Sequence, residues 1–356
     1  MRTLGARLVL VAAVGAGAAC ASKPAPAPAP APPAPPPAAE LAKSGLAVVR
    51  DAEVILRDSS RNRDVPVRVT YPDGDGRFPV IVFSHGAGGA AKTYDALARF
   101  WATHGFVVLA PTHADGAAAA AKDPAAESAR EPAGDGVSDP KTWESRVRDL
   151  AFIVAATGAV EARIPALAGK LDETRVGVGG QSFGAFAAML LAGATVDVSR
   201  KDRAKSFADP IPRAFLLLSP PGRGQQGLTE KSWTAVERPL MVVTGTRDPG
   251  IKNQDASWRL DSYQLSAPGN KYAVFIQGAS HLTLTGVSAE PGAPLPASTP
   301  KKPVSADLEV AIFKDVRAAT LAFWEAFLKD DANAKAFLQT EGLATESENR
   351  AQLLRR

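Results

Sequence analysis

The chain has 356 residues, 46% hydrophobic and 22% charged, close to soluble globular averages, which excludes wholesale disorder and allows a sizeable core. A single Cys excludes an intramolecular disulfide framework and a zinc site built from cysteines. The net charge is +4, from 41 basic and 37 acidic residues with no dense Lys/Arg stripe, which argues against a nucleic-acid partner.

Arg2 and Arg7 open the chain, and Leu8–Ala19 is an apolar run of signal-peptide length, too short to span a bilayer. The small residues Gly17-Ala18-Ala19 precede Cys20. This stretch resembles the lipobox of bacterial lipoproteins, with Gly17 where Leu is usual. The resemblance implies a signal peptide over residues 1–19, diacylglycerol on Cys20, and an exported protein held to a membrane at the periplasm or cell surface. Simple cleavage or retention of the leader are the alternatives. The Pro/Ala run Pro24–Ala39 favours extended polyproline II and makes residues 20–40 a tether.

The body then alternates strand and helix. Ala47–Arg57 and Val65–Tyr71 read as two strands around a polar turn, an antiparallel edge. Phe78–Ser84 and Phe106–Pro111 are continuous apolar runs, the pattern of strands buried on both faces. Between them, Thr93–His104 carries Tyr94, Leu97, Ala98 and Trp101 on one helical face. Ala114–Asp139 is a long connection, and Asp139-Pro140 starts a helix running to about Thr157. Val176–Gln181, Ala214–Ser219, Leu240–Thr244 and Tyr272–Ile276 are further buried strands, and Ser305–Asp330 is a long helix. The expected fold is α/β: a mostly parallel central sheet with helices on both faces and an antiparallel N-terminal edge, spanning residues 41–330. Residues 331–356 read as a polar helical tail.

Gly180-Gln181-Ser182-Phe183-Gly184 matches G-x-S-x-G between a buried strand and a small-residue helix, the context of a nucleophile elbow. A serine hydroxyl needs a base. Of four His, only His281 follows Ser182, and it follows a strand at the carboxyl edge of the sheet. The acid belongs between them at a strand end, where Asp248 stands; Asp255 and Asp261 compete from a predicted helix or its approach. The loop Ser84-His85-Gly86-Ala87-Gly88-Gly89 can turn backbone N–H groups into the site, with Ala87 and Phe183 as the oxyanion-hole pair. A Walker-type Lys is missing from it, which argues against phosphate binding. His85 shapes that loop, and with His113 it is a candidate substrate contact. His104, in the last turn of a helix, is structural, and Trp143 and Phe186 are core. His113 and Asp115 are too few for a metal.

Phe83–Gly89, Phe106–His113, Gly180–Gly184 and Thr244–Asp248 together resemble the bacterial predicted dienelactone-hydrolase group, which is similar to the platelet-activating-factor acetylhydrolases. The resemblance covers about residues 60–285. It implies an α/β-hydrolase fold and a serine esterase with the triad Ser182, Asp248 and His281, an oxyanion hole at Ala87 and Phe183, a small-molecule ester substrate, and neither cofactor nor metal. True dienelactone hydrolases carry Cys where this chain has Ser182. A non-catalytic envelope-binding lipoprotein on the same scaffold, and an acyltransferase or peptidase with the same triad, are the alternative functions. Ala114–Asp139 and Leu282–Pro303 are expected to rim the pocket.

Overall fold

A computed structural model describes residues 48–116, 135–286 and 304–356. The leader, Cys20, the tether, and most of the two expected rim segments lie outside the described residues.

Nine strands form one sheet in the order β1-β2-β4-β3-β5-β6-β7-β8-β9. They are β1 Val49–Asp58, β2 Arg63–Pro72, β3 Phe78–Ser84, β4 Val107–Pro111, β5 Leu171–Gln181, β6 Ala214–Leu218, β7 Leu240–Arg247, β8 Lys271–Ser280 and β9 Ala351–Arg355. The six strands from β4 to β8 in this order run parallel, and β1, β2 and β9 pair antiparallel. Sequence order and sheet order part at β3 and β4, where the direction of winding reverses; with right-handed crossovers this puts helices on both faces.

The apolar runs that predicted buried strands are buried because both faces of the sheet are covered. Val80, Val82, Phe215, Leu217 and Val242 face one core, which includes helices α2, Pro140–Ala155, and α3, Phe183–Ala192. Their chain neighbours Ile81, Phe83, Leu216, Leu218 and Val243 face the other. That second core is closed by α1, Asp95–Thr103, and α4, Ala306–Leu328. Every crossover brings the chain back to the same carboxyl edge. The segments after β3, β5, β6, β7 and β8 therefore converge there, which is what assembles a site from residues far apart in sequence.

The C-terminal region corrects the expectation of a polar helical tail. Two short helices, Ala332–Phe337 and Gly342–Glu346, bury Ala334, Phe337 and Leu343, and the chain ends as strand β9 along the free edge of β8. Ala351 and Leu353 are buried while Gln352 and Leu354 are exposed, a period of two too brief to register beside the polar residues around it. The pairing covers the edge of the last parallel strand, and the short β9 becomes the edge of the sheet. The sheet thus extends past residue 330.

One packing feature on α4 carries a pH prediction. Burial raises the Glu325 carboxyl from its ordinary 4.5 to about 7, against the opposing pull of Lys329 at 3.7 Å. The folded-state value is above the unfolded one, so the associated stability is complete below about pH 4.5 and is lost as pH rises through about 7. Glu325→Gln is expected to be more stable than wild type by about 1 kcal/mol near pH 8, after allowance for screening, and to lose that advantage near pH 5. Thermal unfolding at the two pH values checks this.

Candidate active site

The turn of the G-x-S-x-G motif is built by close approach. β5 ends at Gln181, α3 begins at Phe183, and Ser182 joins them with φ 54° and ψ −114°, a left-handed backbone that a residue with a Cβ seldom adopts. A Cβ at Gly180 would lie 2.4 Å from the Gly184 carbonyl carbon, and one at Gly184 would lie 2.0 Å from the Ser84 oxygen. Only glycine fits at either position, which is the physical content of the motif. The Ser182 N–H donates to Leu218 O at 2.9 Å and ties the turn to β6.

Asp248 follows β7 and is fully buried. Its Oδ1 lies 3.0 Å from His281 Nδ1, and its Oδ2 accepts from Thr244 Oγ1 at 2.8 Å. The Arg259 Nε donates to the Asp248 carbonyl at 2.9 Å and lies 2.8 Å from Oδ1 as an ion pair. Burial pushes the Asp248 carboxyl up, but the charges of His281 and Arg259 and the hydrogen bonds of His281 and Ser219 outweigh it and hold the group below the usual carboxylate range. The competitors are engaged elsewhere. Asp255 accepts from Ser257 N at a helical N-terminus, and Asp261 is paired with Arg223.

The loop after β3 is held from both sides of one residue. The Gly86 N–H donates to Tyr94 Oη at 3.2 Å. The Gly86 carbonyl accepts from His85 Nδ1 at 2.7 Å and Arg146 Nη2 at 2.9 Å. A trans peptide aims its C=O and N–H in opposite directions, so fixing the Gly86 carbonyl fixes the direction of the Ala87 N–H. Arg146 also donates to the His85 carbonyl at 2.6 Å, pairs with Asp115, and stacks 4.4 Å from the Phe183 ring centroid. Phe183 N–H stands at the first helical position, where no intrahelical acceptor exists. The Tyr94 hydroxyl donates to Gln181 Oε1 at 2.8 Å, and Gln181 Nε2 donates to the His281 carbonyl at 3.2 Å. One chain of hydrogen bonds thus joins loop, elbow and histidine.

Ser182, His281, Asp248, Ala87 and Phe183 line one pocket of about 350 Å³, with Val137, Pro221, Ile251 and Leu282 among the apolar wall residues and Arg247 and Arg259 as its cations. Among the described residues, no group of three or more His, Cys, Asp or Glu is placed to hold a metal.

His85 and His113 are corrected as substrate contacts: both are fully buried and neither lines the pocket. The His113 N–H of the main chain donates to His85 Nε2 at 3.1 Å, which leaves Nδ1 as the protonated nitrogen that reaches Gly86. Burial, Arg146 and His113 hold the His85 imidazole well below its usual value, so it stays neutral. His113 lies 2.9 Å from both Ser84 Oγ and Asp149 Oδ2, a second Ser-His-Asp arrangement with no exposed atom. Asp149 is in turn paired with Arg61 and Arg63 and held down to about 2, burial being outweighed by His113 and Arg63. This network fastens β3 and β4 to α2. His104 makes a 2.8 Å contact to Phe100 O, and Trp143 and Phe186 are core, edge to face at 5.5 Å.

Sequence reasoning gave no site role to Arg146, Asp149, Tyr94, Gln181, Arg259 and Ser219. For two of them a signal existed. Arg146 and Asp149 fall among Trp143, Val147, Leu150 and Ile153 on the buried face of α2, and a charge at an apolar position must have a buried partner.

The mostly parallel sheet, the turn at Ser182 on its carboxyl edge and the helices on both faces are those of an α/β-hydrolase fold. Residues 54–143 match the family model "Platelet-activating factor acetylhydrolase, isoform II". The match supports a platelet-activating-factor-acetylhydrolase-like hydrolase of the serine esterase or lipase type. It spans β1 to the start of α2, including the loop that holds Ala87, and stops before Ser182. No curated protein matches the chain.

Proposed function

We propose that the protein is a serine-dependent carboxylic ester hydrolase working through Ser182, His281 and Asp248. The supporting observation is the convergence, in one pocket, of a serine on a strained elbow and a histidine hydrogen-bonded at Nδ1 to a buried carboxylate. With the Nδ1 proton held toward Asp248, Nε2 is the basic nitrogen. It takes the Ser182 Oγ proton as Oγ bonds to the ester carbonyl carbon, and the carbonyl oxygen, now negative, is met by the Ala87 and Phe183 N–H groups. Collapse breaks the bond to the leaving alkoxide, which takes the proton from Nε2. Water then gives a proton to Nε2 and attacks the acyl-enzyme, and Ser182 leaves with that proton.

A pocket of about 350 Å³ is at the small end for a ligand site and favours short or soluble acyl esters. The small-residue run Gly17-Ala18-Ala19 directly before Cys20 supports a lipid on Cys20 that holds the enzyme at the cell envelope. One experiment tests both parts. Cells expressing the full chain are fractionated and assayed with 4-nitrophenyl esters of increasing acyl length. Activity should be in the membrane fraction, highest with the shortest esters, and should move to the soluble fraction in Cys20→Ser. A maximum at long acyl chains would overturn the size argument, and unchanged membrane retention of Cys20→Ser would overturn the anchor.

A further inference from the structure

Ser219 is the first residue beyond β6, fully buried, with φ 50°. Its N–H donates to Val243 O at 2.8 Å, and its carbonyl accepts from Arg259 Nη1 at 3.0 Å. These bonds hold a left-handed backbone that a serine adopts at a cost. The result is a hydroxyl within hydrogen-bond reach of His281 Nδ1, beside the Asp248 carboxylate at 3.0 Å. A neutral imidazole has one Nδ1–H, and here two oxygens converge on it. A hydroxyl can accept from that N–H and still turn its own hydrogen to the Asp248 carboxylate, whose charge it also stabilises.

We infer that Ser219 is a positioning residue of the hydrolytic site, its hydroxyl sharing the His281 Nδ1–H with Asp248 and fixing the imidazole as it becomes charged. The inference rests on the proposed triad. Ser219 keeps its own proton throughout; the only proton that moves is the one passing between Ser182 and His281 Nε2. A consequence follows from the backbone. Asn and Asp tolerate the left-handed region better than other residues with a Cβ, so position 219 can present a carboxylate to Nδ1 in place of position 248.

The test uses the full chain as wild type, Ser219→Gly, Asp248→Asn, and Asp248→Asn with Ser219→Asp, assayed with 4-nitrophenyl acetate. Glycine removes the hydroxyl and accepts φ 50° without strain, so the fold, followed by thermal unfolding, is retained. Ser219→Gly is expected to lower kcat about 10-fold with KM within about 2-fold. Asp248→Asn is expected to lower kcat about 10^4-fold, and the added Ser219→Asp to recover about 100-fold of that loss. An unchanged kcat in Ser219→Gly overturns the inference while leaving the triad intact. A double variant no faster than Asp248→Asn does the same; if that variant does not fold, Ser219→Gly decides alone. Wild-type activity in Asp248→Asn is the distinct result that removes the triad reading, and the inference falls with it.

Discussion

Ser182→Ala is expected to lower kcat for a short 4-nitrophenyl ester by a factor of about 10^4 or more while leaving the melting temperature unchanged or slightly raised. The size follows from the role: without the hydroxyl no acyl-enzyme forms, and only oxyanion stabilisation and binding are left. The stability effect has a separate origin. The elbow holds Ser182 at φ 54° by the fit of Gly180 and Gly184 against neighbouring backbone, so alanine keeps the same geometry and the same strain while removing one partly buried hydroxyl. Steady-state rates and thermal unfolding of the two proteins, side by side, check both halves. A variant that folds and retains its rate would place the nucleophile elsewhere.

Arg146→Met is expected to be costly in two ways. Arg146 is almost wholly buried and is paired with Asp115. Its pull outweighs the effect of burial on Asp115 and holds that carboxyl below the usual range. Removing the guanidinium leaves Asp115 and the His85 carbonyl short of a partner, a loss of about 3–5 kcal/mol in stability. The catalytic cost comes through the Gly86–Ala87 peptide. With only His85 Nδ1 left on the Gly86 carbonyl, the Ala87 N–H loses its fixed direction, and kcat is expected to fall by about 100-fold with little change in KM. Measured below its own unfolding temperature, a folded variant with unchanged kcat would mean that the loop is aimed by Tyr94 and His85 alone.

Most of the fold was legible because its signals are local and strong. Phe78–Phe83 and Ala214–Leu218 are apolar at every position, and strands buried on both faces need no alternation. Gly180 to Gly184 could be read because sterics leave little choice of residue there. The roles of His85 and His113 could not be read, because a histidine after a strand looks the same in sequence whether it faces a pocket or a buried carboxylate. Asp149, which claims His113, is 36 residues away on another element. Ser219 gave no signal, since its function depends on a left-handed backbone and on a contact with His281, 62 residues on. Strand β9 was hidden by its brevity: five residues with two buried side chains.

The central claim, that Ser182 is the nucleophile of an acylating hydrolase, is tested most directly by reaction with a fluorophosphonate and mass mapping of the adduct. The account predicts one adduct per chain, on Ser182, with loss of esterase activity in step with labelling and no adduct in Ser182→Ala. An adduct on another residue accompanying the loss of activity, or a folded chain that takes up none, would contradict it.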